Sequence, residues 1–180
     1  ARDVASASFL PDRVDYGSVI QYKLHVLGKA WQGFVQGRNK GLREAFEEFK
    51  RTQAEWLDDY ALFMAIKDVH QSRSWTEWPT PARMRHDEFV NKTTKELAQP
   101  IAAHQFSQFL FFRQWQRVKT YANQRGIKII GDIPIFVSGD SSDVWANPNL
   151  FALDKDRRPL FVAGVPPDYF SATGQLWGNP

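Results

Sequence analysis

The 180 residues, 43% hydrophobic and 24% charged, are enough for an ordinary globular domain and exclude a disordered chain. The absence of cysteine excludes disulfides and thiolate metal sites, and a net charge of +3, with acids interspersed among the bases, gives no nucleic-acid-binding stripe. No apolar run approaches the ~18–20 residues that span a bilayer; the densest, Phe109-Leu110-Phe111-Phe112, stops at Arg113.

The chain starts Ala1-Arg2-Asp3, with no initiator Met and no basic-then-apolar signal pattern, and reads as an excised or processed beginning with no export indicated. The segment to about Asp15 is mixed and is expected to be a loop, and an element of unassigned type begins within Ser18–Lys23. From Gly41 the pattern is helical, with Leu42, Ala45, Phe46 and Phe49 on one face. A second helical stretch carries Leu57, Tyr60, Ala61 and Met64 at i, i+3, i+4 and i+7 and ends near Val69-His70. Pro79 and Pro81 mark a break, a more polar helix is expected from Ala82 to about Leu97, and Pro100 stops or restarts it. A long helix from Ile101 to about Gln124 follows, with Gly126 where a left-handed C-terminal residue belongs.

Ile127-Lys128-Ile129-Ile130 is short and β-branched, and a helix, a Gly turn and such a run together predict an αβ unit of a parallel sheet. A parallel strand is buried between neighbours, yet this is the single convincing one in the sequence. The chain therefore reads as part of a larger αβ protein. Further on, a hairpin is expected with arms Leu150–Leu153 and Pro159–Ala163 around the charged turn Asp154-Lys155-Asp156-Arg157.

Three features point toward chemistry, each with a plainer alternative. Asp132 follows the predicted strand, where (β/α) barrels place functional side chains, but an Asp after Gly is also a common turn or cap residue. The segment Gly164–Pro180 has paired prolines before Asp168-Tyr169-Phe170, which lower the entropy lost on meeting a ligand. It reads either as a sugar-stacking platform or as a packed loop with Tyr169 and Trp177 in the core. The 14% aromatic content likewise fits a large core or a sugar-binding surface.

Gly131-Asp132-Ile133-Pro134-Ile135-Phe136-Val137, Asp143-Val144-Trp145-Ala146-Asn147-Pro148 and Gly164 through Pro180 closely resemble consecutive motifs of the amylomaltases, the disproportionating enzymes of glycoside hydrolase family seventy-seven. Val14–Gly17, Trp56–Phe63 and Trp75–Pro79 resemble that family's helical insertion. The resemblance implies an α/β fold, an internal part of a (β/α)₈ TIM barrel with a largely helical insertion. It implies a division into an insertion over residues 1–100, a barrel helix and strand over 101–137, and an active-site loop region with a hairpin over 138–180. The implied activity is transfer of α-1,4-glucan segments between maltooligosaccharides, without metal or organic cofactor. The implied partner is α-1,4-glucan rather than nucleic acid or membrane, and the implied location is the cytoplasm, or the plastid for a plant source. By the same resemblance Asp132 ends the third barrel strand near the bound sugar. Asp168, Tyr169, Phe170 and Ser171 form the family's active-site loop, and Trp177 lines the cleft.

Retaining transfer needs two carboxyl groups about 5–5.5 Å apart, a nucleophile and an acid/base. The family's nucleophile lies in an Arg-x-Asp-His motif and its acid/base Glu comes later; neither motif occurs in these 180 residues. Arg13-Val14-Asp15 matches in part, but Tyr16-Gly17 follows, and His25, His70, His86 and His104 lack the context of the family's catalytic His. No catalytic residue is therefore assigned, and the chain alone is expected to be inactive and to need the rest of the barrel. The alternatives are a non-catalytic glucan-binding module and a partner-binding helical bundle over residues 41–125.

Overall fold

A computed structural model describes residues 9–180 of the chain. The first eight residues of the expected N-terminal loop, with the Ala1-Arg2-Asp3 start, lie outside the described residues, and the rest of that segment is irregular up to Asp15. The Asp15 carboxylate accepts from the Ser18 backbone N–H, 3.5 Å, and the Ser18 hydroxyl, 2.6 Å, and so starts helix α1, Tyr16–Gln36. The unassigned element at Ser18–Lys23 thus belongs to a helix, and the partial Arg-x-Asp match is its cap.

Asn39 caps helix α2, Lys40–Val69, through a bond from the Leu42 N–H, 3.0 Å. The two expected helices are one, because nothing between Phe49 and Trp56 breaks a helix and Lys50–Glu47 and Arg51–Glu48 pairs line its exposed side. Arg43, in its first turn, donates to the carbonyls of Phe34, Val35 and Gly37 at 3.0, 2.8 and 2.7 Å, locking the end of α1 to the start of α2.

The expected helix at Ala82–Leu97 is instead two, α3, Thr80–Arg83, and α4, Asp87–Glu96. Arg85 breaks it with φ +56°, held by an ion pair to Asp59 and by its guanidinium 5.1 Å from the Trp145 ring centre. Helix α5, Ala98–Asn123, carries Pro100 in its first turn, where no N–H is needed. It ends at Gly126, φ +74°, with the Gly126 N–H on Asn123 O and the Ile127 N–H on Ala122 O, the paired bonds of a Schellman turn.

Two apolar clusters hold these helices. Phe46, Phe106 and Phe109 join α2 to α5, with Trp31 and Phe34 of α1 packed against them. The larger cluster gathers Ala61, Leu62, Phe63, Ala65 and Ile66 of α2 around Trp75, Trp78 and Trp145. Trp145 sits on a short helix, α6, Ser142–Ala146, capped by Ser141, and its Nε1 donates to Ala82 O at 2.9 Å. None of the described helices is long and apolar enough to cross a membrane.

Past Gly126 the regular structure thins. Residues 127–137 run without a strand ladder, and Ile130, Ile133 and Ile135 are exposed. The sequence carries a strand's signal, but a strand needs a partner backbone, and no described segment supplies one. The expected hairpin shrinks to a single Leu153–Pro159 bridge, with Asp154 N–H on Arg158 O and Leu160 N–H on Ala152 O. Pro159 has no N–H to extend it. The strand pairing that does form is a short antiparallel ribbon, β1, Gly164–Val165, with β2, Gln175–Leu176.

Candidate functional site

The ribbon is built by its glycines. Gly164 faces Leu176 across the pair, and a Cβ there would lie 2.7 Å from Gln175 O. Gly174 has φ +72°, and a Cβ on it would lie 2.5 Å from Val165 O. Only glycine allows the returning backbone to close so tightly on the Pro166-Pro167 corner.

Within the loop, Asp168 Oδ1 accepts from the N–H groups of Phe170, 2.9 Å, and Ser171, 2.8 Å. The Asp168 N–H bonds Ser171 O at 3.0 Å, and the Ser171 hydroxyl donates to Gly174 O at 2.7 Å. Both side chains thus brace the loop rather than point freely outward. The result is that Tyr169 and Phe170, 90% and 80% exposed, stand side by side with ring centres 4.0 Å apart. Trp177, 51% exposed, lies at the ribbon base with its Nε1 on Gln175 Oε1, 2.8 Å. The packed-loop reading of Tyr169 and Trp177 therefore fails: neither is in the core. The core aromatics include Trp75, Trp78, Trp145 and the phenylalanine cluster, so the high aromatic content is divided between a core and an exposed ribbon.

The ribbon is tied to the segment that follows Asp132. The Phe136 ring meets Trp177 edge-on at 6.2 Å, and Asn179 Nδ2 donates to Val137 O at 2.6 Å. Asp132 is exposed, and its Oδ1 accepts from the N–H of its neighbour Ile133 at 2.8 Å. Asp168, Tyr169, Phe170 and Ser171 are thus brought together at the tip and Trp177 at the base. Asp132 joins them indirectly, four residues before Phe136; among the described residues no hydrogen bond or ring contact links it to the tip. Phe136, Gly174 and Asn179 stand within the motifs read from the sequence but were given no role there, although the Gly-Gln-Leu-Trp-Gly-Asn stretch held the signal of glycines spaced for a tight ribbon.

Elsewhere two of the four histidines have structural contacts. His104 Nε2 lies 2.8 Å from Asp68 Oδ2, and His70 stacks on Trp78 at 5.5 Å.

A family model described as 4-alpha-glucanotransferase matches residues 2–180. The 4-alpha-glucanotransferase of Thermus thermophilus is 50% identical over 96% of this chain, which spans 34% of that protein. The potato protein named 4-alpha-glucanotransferase, chloroplastic/amyloplastic, is 40% identical over 94% of the chain, which spans 30% of it. Among solved structures, an amylomaltase from Streptococcus agalactiae in complex with acarbose superposes with a TM-score of 0.91 at 40% identity, over 99% of this chain and 36% of that one. The chain thus spans about a third of the length of the relatives it matches. With a family model over nearly its whole length and these motifs in place, the chain belongs to the 4-alpha-glucanotransferase family.

Proposed function

We propose that this chain supplies a glucan-holding part of a 4-alpha-glucanotransferase that moves α-1,4-glucan segments between maltooligosaccharides by retaining double displacement. The observation that carries the reading is the exposure of Tyr169, Phe170 and Trp177 on a braced ribbon, on a chain of this family. A soluble protein gains nothing in stability by holding three aromatic rings in water. A flat ring that need not reorganise offers the apolar face of a glucose unit a ready partner, with little entropy left to lose. Asp132 contributes a carboxylate for sugar hydroxyls, while Asp168 and Ser171 hold the loop's shape. The solved relative in complex with acarbose, and the transferase names of the relatives, favour an enzyme over a non-catalytic module or a helical partner-binding bundle.

In this reading the largely helical insertion covers residues 1–100, residues 101–137 give a helix and strand of a (β/α)₈ barrel, and residues 138–180 carry the active-site loop region. The strand pairs when the rest of the barrel flanks it. The double displacement needs a nucleophile and an acid/base that the Arg-x-Asp-His and later Glu motifs would bring, and these 180 residues contain neither. Metal and organic cofactors have no part in the proposed chemistry. Incubation of the chain with maltotriose tests this division of labour. No glucose and no longer oligosaccharides are expected, and sustained disproportionation would refute it.

A further inference from the structure

We propose that Lys67, on helix α2 and far in sequence from the ribbon, is a positioning residue for Trp177, acting through Asp140. The Lys67 ammonium donates to Asp140 Oδ2 at 2.6 Å and to Arg73 O at 3.3 Å, and it lies 5.6 Å from the Phe63 ring centre. Its side chain is only 16% exposed, so water screens the ion pair less than it would on an open surface. The other Asp140 oxygen accepts from the Trp75 backbone N–H at 3.3 Å, and the buried Trp75 indole donates to Gly139 O at 2.8 Å. Residues 139–140 are thereby held to the helical core by three bonds.

From there the contacts run directly to the ribbon. Gly139 lies so close to the ribbon's end that a Cβ on it would sit 3.4 Å from Gly178 O and 3.5 Å from Pro180 Cδ. Asn179 holds Val137 O with its side chain and accepts the Ala163 N–H on its own carbonyl at 2.8 Å. Ala163 O in turn accepts from the Trp177 and Gly178 N–H groups at 2.9 and 3.1 Å. The segment 136–140 has no ladder of its own, so its place is set by these side-chain bonds together with Val137, which packs against the larger apolar cluster. Lys67–Asp140 is the charged one among them. A neutral residue at position 67 would leave the Asp140 carboxylate without its counter-charge and free Gly139 and the ribbon base to shift against α2. The proposal that this affects saccharide affinity rests on the glucan-holding reading above; the proposal that it fixes the ribbon does not.

The test compares the wild-type chain, Lys67→Met and Lys67→Arg by amide hydrogen exchange and by Trp fluorescence during maltoheptaose titration. In Lys67→Met the Ala163 and Trp177 amides are expected to exchange about tenfold faster, while amides in the middle of α2 keep their protection. Maltoheptaose affinity is expected to fall by a similar factor, and Lys67→Arg is expected to restore both. Unchanged exchange at Ala163 and Trp177, or an equal loss of protection through α2, would overturn the positioning role. If the wild-type chain binds no maltoheptaose but the exchange responds as expected, the positioning role stands and the glucan-holding reading falls.

Discussion

At the scale of single residues, burial and charge fix what each group can do. Burial pushes the Tyr60 phenol above its ordinary value of 10.0; the Gln108 amide bond at 3.0 Å opposes this, and the charge of Asp68 adds to it. The folded chain therefore holds this proton more tightly than the unfolded chain does. That contribution to stability is complete below about pH 10 and is lost as pH rises through the folded-state value. Urea midpoints measured from pH 9 to 11 should fall more steeply for the wild type than for Tyr60→Phe, which has no proton to lose. Gly174 is a second such position. Gly174→Ala puts an L side chain at φ +72°, costing about 1–2 kcal/mol, before the clash with Val165 O is counted. The opened loop should be cut by chymotrypsin after Tyr169 and Phe170 roughly 5- to 30-fold faster, with the urea midpoint of the helical core unchanged.

At the scale of elements, α5 and the two stretches that join as α2 were legible because their causes are local, while the 21-residue α1 stayed unassigned. Apolar spacing gave α2 and α5, and Gly126 marked the end of α5. What stayed hidden depends on partners distant in sequence. The kink at Arg85 follows from Asp59 and Trp145, which no pattern around residue 85 announces. Helix α6 is short, and its signal was a lone capping Ser141 before an acid. The Ile127–Val137 stretch failed in the opposite way. Its β-branched composition is a sound strand signal, but a ladder is a property of two backbones rather than one. The loop was legible as a ligand candidate from its prolines and aromatics. The bracing of Tyr169 and Phe170 by Asp168, Ser171 and Gly174 was not, because it needs the loop's closed geometry.

At the scale of the whole molecule, the apolar surface is divided unevenly. The first half of α5 is buried against α2, while its second half exposes Phe111, Trp115, Val118 and Tyr121. Ile130, Ile133 and Ile135 add to the uncovered surface. Such extent is unusual for a monomer, and unpaired strand-forming backbone invites pairing with another chain. Sedimentation equilibrium should therefore show concentration-dependent association of the chain, reduced by a Trp115→Glu, Ile135→Glu double substitution. A strictly monomeric wild type at every concentration would show that these faces are not sticky.

In the proposed function, Asp132 and the ribbon face one saccharide. A titration of the isotope-labelled chain with maltoheptaose, followed by nuclear magnetic resonance, addresses this directly. Signals of Asp132, Tyr169, Phe170 and Trp177 should shift together along one saturable curve. Shifts at Tyr169 and Trp177 with Asp132 unmoved, or no shift at any of the four, would contradict it.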